Sequence, residues 1–300
     1  MSAPRLRTVV ISQYASALRG IVRVCRAQGH TPVAAICTRT ELPHGGVSSP
    51  QMKSLAKAIV GACPSGMDVC VVNGIEPLAG LVESYVPDLL IVRGFPWKLP
   101  PRVLDVAGYG SVNLHPSALP EFRGSFPVHW AIRRGDSRLA VTAHRMDAEF
   151  DTGPVLATVP FDVPQEDFGP AIWSRVDRAA ERALDVALGR VIAREPGDPQ
   201  NDHYATYAGA FGASDQKVHW GRSAAEIHNL VRAWSLGSPS ALGGEGPVAD
   251  LDGVPVRVVR TSLTEIDAPQ VTCGDGPIWL AHVQELGHSS TPGASNERSG

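Results

Sequence analysis

The chain has 300 residues, 43% hydrophobic and 19% charged, with a net charge of −3. That length carries one large or two modest domains around a true apolar core, and the charge gives no global attraction for nucleic acid or an anionic membrane. No run approaches the roughly 20 apolar residues of a membrane span.

Met1 to Arg7 is not followed by the apolar stretch of a signal peptide, so a cytoplasmic protein without a membrane partner is expected. Cys25, Cys37, Cys63, Cys70 and Cys273 form no Cys-x-x-Cys pair, and an odd, scattered set reads as reduced, mostly buried thiols.

In chain order, Leu6 to Ser12 reads as a buried strand and Ala15 to Gln28 as a helix stopped by Gly29. Pro32 to Thr38 is a second strand, Pro50 to Ala62 a helix, and Met67 to Asn73 a third strand. Ala79 to Ser84 is a short helix, Asp88 to Arg93 a strand rich in leucine and β-branched residues, and Ser111 to His115 the end of another. Val141 to Arg145 and Val155 to Phe161 are two further strands, followed by a long amphipathic helix over Pro170 to Ala193.

The alternation predicts an α/β fold, a Rossmann-like and mostly parallel sheet over residues 1–193 with helices on both faces. Ser12-Gln13-Tyr14-Ala15 opens the first helix without Gly-x-Gly-x-x-Gly, and Gly108 and Gly110 precede a strand, so NAD is not expected. Arg194 to Gln200 is rich in Pro, Gly and Asp, and residues 194–203 read as a linker. Residues 204–286 form a smaller β-rich domain, with short strands at Val254 to Arg260 and Ile278 to Val283. Residues 287–300 are small and polar, the composition of a disordered tail.

The chemistry concentrates in Ser111-Val112-Asn113-Leu114-His115-Pro116-Ser117-Ala118-Leu119-Pro120, then Arg123-Gly124, then Asp151-Thr152-Gly153-Pro154. Asn113 can donate to a carbonyl oxygen that becomes an oxyanion. His115 can move a proton near neutral pH. Asp151 can fix the imidazole tautomer and help take the proton from an attacking amine. Singly, Asn113 is a turn residue and His115 a core histidine; their joint placement favours catalysis. His129, His144 and His203 have no ligand-like spacing and read as structural, and no cluster calls for a metal.

At these residues the chain resembles the formyltransferase family that uses 10-formyltetrahydrofolate. The shared pattern is Asn-x-His-Pro-Ser-x-Leu-Pro, Arg-Gly, and Asp-Thr-Gly-Pro, with 36 positions between His115 and Asp151. The resemblance implies that Asn113, His115 and Asp151 are catalytic and that 10-formyltetrahydrofolate is the co-substrate. It places the pterin between the loop Gly94-Phe95-Pro96-Trp97-Lys98-Leu99 and the loop Asp147-Ala148-Glu149-Phe150. Backbone groups there would read its edge and Trp97, Leu99 and Phe150 would wall it, with Phe95, Lys98 and Asp147 among the residues of the same site. Trp97 stands where the family commonly has a smaller residue and has an equal claim as a packing residue.

The acceptor is implied to approach Ser117, Arg123 and Gly124, with Arg123 alternatively a brace of its loop. Val218-His219-Trp220, Ala224-Ala225-Glu226-Ile227 and Leu230-Val231-Arg232-Ala233-Trp234 resemble the C-terminal domain of methionyl-tRNA formyltransferase, which implies a short helix leading into a small open β-barrel.

The acceptor is read from charge. Residues 201–286 carry five basic side chains, Lys217, Arg222, Arg232, Arg257 and Arg260, against ten acidic ones. The segment Arg39 to Lys57 is also poor in lysine and arginine, where the tRNA enzymes carry a basic insertion. An acidic appendage is unsuited to a phosphate backbone, so a small-molecule or carrier-bound amine is expected, for example an amino-acid derivative such as hydroxyornithine. Methionyl-tRNA is the alternative acceptor. A hydrolase releasing formate to water and a non-catalytic folate-binding module are the rival readings.

Overall fold

The computed structural model describes residues 4–38, 50–237 and 246–286. The chain divides into two units, Met1–Ala131 with Asp136–Ala210, and Ile132–Gly135 with Phe211–Gly300. The segment 39–49 and the tail 287–300 lie outside the described residues.

The first unit holds strands β1 (Arg7–Ser12), β2 (Thr31–Thr38), β3 (Asp68–Val72), β4 (Leu89–Arg93), β5 (Ser111–His115), β6 (Arg138–Arg145) and β7 (Val155–Asp162). Its helices are α1 (Ala15–Ala27), α2 (Pro50–Ala62), α3 (Ile75–Tyr85), α4 (Pro101–Leu104), α5 (Pro127–Arg134), whose end belongs to the second unit, and α6 (Gly169–Ile192). The sheet order is β3-β2-β1-β4-β5-β6-β7. From β3 to β5 every pairing is parallel, and β6 and β7 are antiparallel additions.

All of Leu89–Arg93 is buried, as a strand covered on both faces requires. On one face, Val9, Ile11, Ala34, Ile36, Leu90 and Val92 cluster with Leu78 and Val82 of α3 and Val103 and Leu104 of α4. These strand positions differ by two, the period that selects one face. Helix α1 contacts both α2 and α6, and all three contact the strands; Arg93 at the end of β4 is tied to Asp177 of α6 at 2.6 Å. At the carboxyl ends of β1 and β2, the Gln13 amide donates to the Thr38 carbonyl and accepts from its N–H, each at 3.2 Å.

Several boundaries differ from the sequence expectation. Helix α3 begins at Ile75, not Ala79, because Pro77 sits in its first turn, where a missing N–H costs nothing. Helices α4 and α5 are too short to announce themselves by periodicity. The segment read as a linker is bonded into the first unit: Val155 and Asp198 exchange both main-chain hydrogen bonds at 2.8 Å, and Arg190 binds Asp198 and Glu195. Polar composition made it resemble a connector, but Glu195 and Asp198 have an arginine partner on α6, Arg190.

The second unit contains α7 (Ala224–Ser235), β8 (Val248–Leu251), β9 (Val254–Ser262), β10 (Gln270–Thr272) and β11 (Pro277–Glu285). The strands form an antiparallel sheet of order β10-β11-β9-β8, and Val248 of β8 also makes a parallel bridge to Lys217. Ser223 caps α7 and Glu226 returns the bond, a capping box. Asp252 and Gly253, both at positive φ, turn β8 into β9, the standard Asp-Gly hairpin.

Among the described residues no helix is long and apolar enough to cross a membrane. All five cysteines are free. Burial pushes the thiols of Cys25 and Cys37 up to about 12 and about 11, far from a reactive thiolate.

Candidate active site

Strand β5 carries Asn113 and His115 two residues apart, so both point to one side. It lies between β4, where Val92 pairs with Asn113, and β6, where His144 stands directly opposite Asn113. This is the carboxyl end of the parallel strands, where ligands of open α/β sheets bind. The loop between β6 and β7 then brings Asp151 over the pair.

Asp151 is the hub. Its Oδ1 accepts from Asn113 Nδ2 at 3.2 Å and lies 3.3 Å from His115 Nδ1; its Oδ2 accepts from the Gly124 N–H at 2.9 Å. The residue is 8% exposed and holds a left-handed φ of 59°, a conformation that aspartate and asparagine adopt more readily than most residues. Burial pushes its carboxyl up, but the His115 imidazole, the neighbouring His144 and the Gly124 N–H outweigh this and hold it down to about 2.

His115 is also buried. Its Nε2 donates to the Phe122 carbonyl at 2.8 Å. Burial draws its pKa below the ordinary value, Asp151 and the Phe122 carbonyl oppose that, and His144 adds to the depression. Both ring nitrogens thus face acceptors, Nε2 the Phe122 carbonyl and Nδ1 the Asp151 carboxylate. Phe122 aims its carbonyl from a left-handed φ of 54°, with its N–H donating to Thr206 Oγ1 at 2.8 Å.

His144 is the residue whose place the sequence did not reveal. Its Nδ1 donates to the Arg145 carbonyl at 2.8 Å, which leaves Nε2 to accept from Asn113 Nδ2 at 3.2 Å. Both hydrogens of the Asn113 amide are thus engaged, one by imidazole and one by carboxylate. A signal did exist: Thr142 and His144 are polar at alternate positions within the buried stretch Leu139 to His144 of β6, and such groups need polar partners. Gln200 was equally hidden. Its Nε2 donates to the carbonyls of Asp151 and Gly153 at 2.9 and 2.8 Å, and its Oε1 accepts from Arg123.

The residues assigned to the acceptor are hydrogen-bonded within the chain. The Arg123 side chain is 3% exposed and bound to Gln200 and Asp202, so its guanidinium is not presented to an acceptor. Ser117 is buried, its hydroxyl donating to the Glu121 carbonyl at 2.6 Å. The Gly124 N–H is committed to Asp151, and at φ 106° a Cβ there would lie 3.1 Å from the Ala208 carbonyl oxygen.

Of the residues assigned to the folate, Trp97 and Leu99 lie in the core beneath α3 and α4, each 3% exposed. The bulk of Trp97 fills the core and meets Phe95 edge-on at 5.2 Å between ring centres. Lys98 pairs with Glu149 at 2.9 Å on the surface. Asp147 braces its own loop, accepting from Thr152 Oγ1 at 2.7 Å and from the Glu149 N–H at 3.1 Å. Phe150 is half-exposed, one residue from Asp151.

Two expected outcomes follow from this geometry. A Cβ on Gly153 would stand 2.0 Å from the Arg145 carbonyl oxygen, the acceptor that orients His144. Gly153→Ala should therefore lower stability by about 1–3 kcal/mol, seen as a lower urea midpoint at unchanged slope.

The second concerns acid. Asp151 titrates near 2 when folded and near 3.9 when unfolded. It contributes roughly 2 kcal/mol above pH ~4, lost as pH falls through ~2. The stability gap between wild type and Asp151→Ala should shrink accordingly in urea titrations run from neutral to acid pH.

A methionyl-tRNA formyltransferase of Pseudomonas fluorescens (strain Pf0-1) is 34% identical over 208 residues, covering 66% of this chain and 64% of that protein. The chain thus matches slightly less than two thirds of that relative's length. Among solved structures, HypX from Aquifex aeolicus in complex with tetrahydrofolic acid has a TM-score of 0.65 at 17% identity, covering 94% of this chain and 44% of that one. An N-formyltransferase from Helicobacter canadensis, in complex with folinic acid and dTDP-3-aminofucose, has a TM-score of 0.61 at 17% identity, covering 93% and 99%. Residues 6–188 match the family model described as Formyl transferase, and the chain belongs to that family.

Proposed function

We propose that the chain transfers a formyl group from 10-formyltetrahydrofolate to an amine. The observation that carries this reading is the meeting of Asn113, His115 and Asp151 in one cluster at the carboxyl ends of the strands. In the transfer, the amine nitrogen attacks the formyl carbon and the carbonyl electron pair moves onto oxygen. The carbon–N10 bond then breaks, and the folate nitrogen leaves with a proton.

The chain's own groups match those demands. Asn113 directs an N–H at the developing oxyanion. His115 Nδ1 and Asp151 form a proton-holding pair: a proton arriving from the amine is shared between them and passed to the leaving nitrogen. Asp151 now holds one Asn113 N–H; as the carboxylate gains a proton its grip on that N–H weakens, and the donor is released to the oxyanion.

The main chain around Gly94 and Phe95 and the loop carrying Phe150 lie on the strand ends flanking this cluster and suit a flat pterin. Phe150 supports this, being a large aromatic half-exposed beside Asp151. Trp97 and Leu99 act from beneath, by shaping the floor. Among the described residues no group of three or more His, Cys, Asp or Glu is placed to hold a metal.

For the acceptor, the excess of acidic over basic side chains in residues 201–286 supports a small or carrier-bound amine. The 34% identity to a methionyl-tRNA formyltransferase favours a second reading, in which charged initiator tRNA is the acceptor. Formyl transfer from 10-formyltetrahydrofolate to methionyl-tRNA and to a panel of small amines decides between them. Turnover on the tRNA alone overturns the charge argument, and turnover on a small amine supports it.

Formate release without any amine identifies a hydrolase. A binding module retains folate affinity with no turnover, and is unaffected in function by His115→Ala.

A further inference from the structure

A cleft in the first unit lies away from the Asn113 cluster. It has a volume of about 410 Å³ and is lined by Leu104, Asp105, the stretch Ala107–Gly110, Arg145, Val191 and Arg194. It therefore opens at the amino end of β5, whereas Asn113 and His115 stand toward the carboxyl end.

Its walls carry two guanidinium groups in an unusual state. Arg145 uses three of its five N–H groups, all on main-chain carbonyls: Nε and Nη2 on Glu195, and Nη1 on Tyr109. Arg194 uses one, to the Gly108 carbonyl at 2.8 Å, and its Cζ lies over the Tyr109 ring, 3.9 Å from the ring centre. Among the described residues neither side chain has a carboxylate partner, while nearby Arg190 takes both Glu195 and Asp198. Burial, with the charges of Arg190 and Arg194, presses the Arg145 pKa down.

Arg194 is held in this arrangement at a left-handed φ of 56°, which costs free energy for a non-glycine residue. Both side chains are fixed by the main chain, with N–H groups left over and room beside them. An anion brought here meets donors already oriented.

We propose that this cleft is a binding site for phosphate monoesters, separate from the catalytic cluster. Several unspent N–H groups on two arginines suit a dianionic, tetrahedral group better than a carboxylate, which one fork satisfies. The cleft is larger than a phosphate group, and Asp105 on its wall gives an acceptor for a hydroxyl on the rest of the ligand.

The test is calorimetric titration with glycerol 3-phosphate, inorganic phosphate and acetate at matched low ionic strength, on wild type and Arg194→Asn. Asparagine tolerates the left-handed backbone and removes the charge, and an unchanged Tm confirms that the variant is folded. Glycerol 3-phosphate should bind wild type with a Kd of about 1 mM or tighter, and at least about tenfold more weakly in the variant. Asp105→Asn should weaken glycerol 3-phosphate but not inorganic phosphate, which separates a monoester site from a free-phosphate site. No heat with wild type, equal affinity in Arg194→Asn, or acetate binding as well as phosphate would each overturn the proposal.

Discussion

Asp151→Asn is expected to lower kcat by about 10³-fold or more and also to destabilise the fold by about 1–3 kcal/mol, although the two side chains are nearly the same size. Both carboxylate oxygens accept from fixed donors, Oδ1 from the Asn113 amide and Oδ2 from the Gly124 N–H. An asparagine has one oxygen, so its NH₂ must face a donor whichever way it turns. The backbone is not the cause, since asparagine tolerates the left-handed φ at this position. The proton-holding partner of His115 vanishes at the same time, so rate and stability fall together. Steady-state turnover and urea unfolding on one preparation check this, and a variant that keeps wild-type turnover sinks the proton-relay role.

Asn113→Ala should separate the two effects. Loss of one oxyanion donor lowers kcat by about 10²–10³-fold, roughly 3–4 kcal/mol of transition-state stabilisation. The folded state loses little, because Asp151 keeps Gly124 and His115, and the side chain is only half-buried. The KM for 10-formyltetrahydrofolate should stay within about twofold, since the interaction strengthens only as negative charge builds on oxygen. A large rise in KM with kcat preserved would instead make Asn113 a substrate-binding group. His144→Ala is the companion variant: it frees one amide hydrogen of Asn113 and lets the amide rotate, so it should produce a milder loss of kcat in the same direction.

What could be read from the sequence follows physical range. The parallel strands were legible because a strand buried on both faces must be a continuous apolar run, as in Leu89–Arg93. The Asn113–His115 pair was legible because two residues on one strand share a side without any tertiary information. Asp151 was reached through the spacing and the loop residues that accompany it. His144 was not, because its role depends on β6 lying antiparallel to β5 in one register, which places it opposite Asn113. Arg123 and Gln200 failed for a related reason: an arginine in a glycine loop looks the same whether it faces solvent or is closed inside a hydrogen-bond network.

The hub at Asp151 also shapes how such a protein can change over generations. One carboxylate clasps two separated stretches of chain, around residues 113–115 and 124, so its loss costs shape as well as chemistry. Drift toward a silent, folate-holding descendant is consequently channelled. The accessible first step is at Asn113, where catalysis can be abandoned while the clasp stays shut, and Asp151 would outlast the activity it once served.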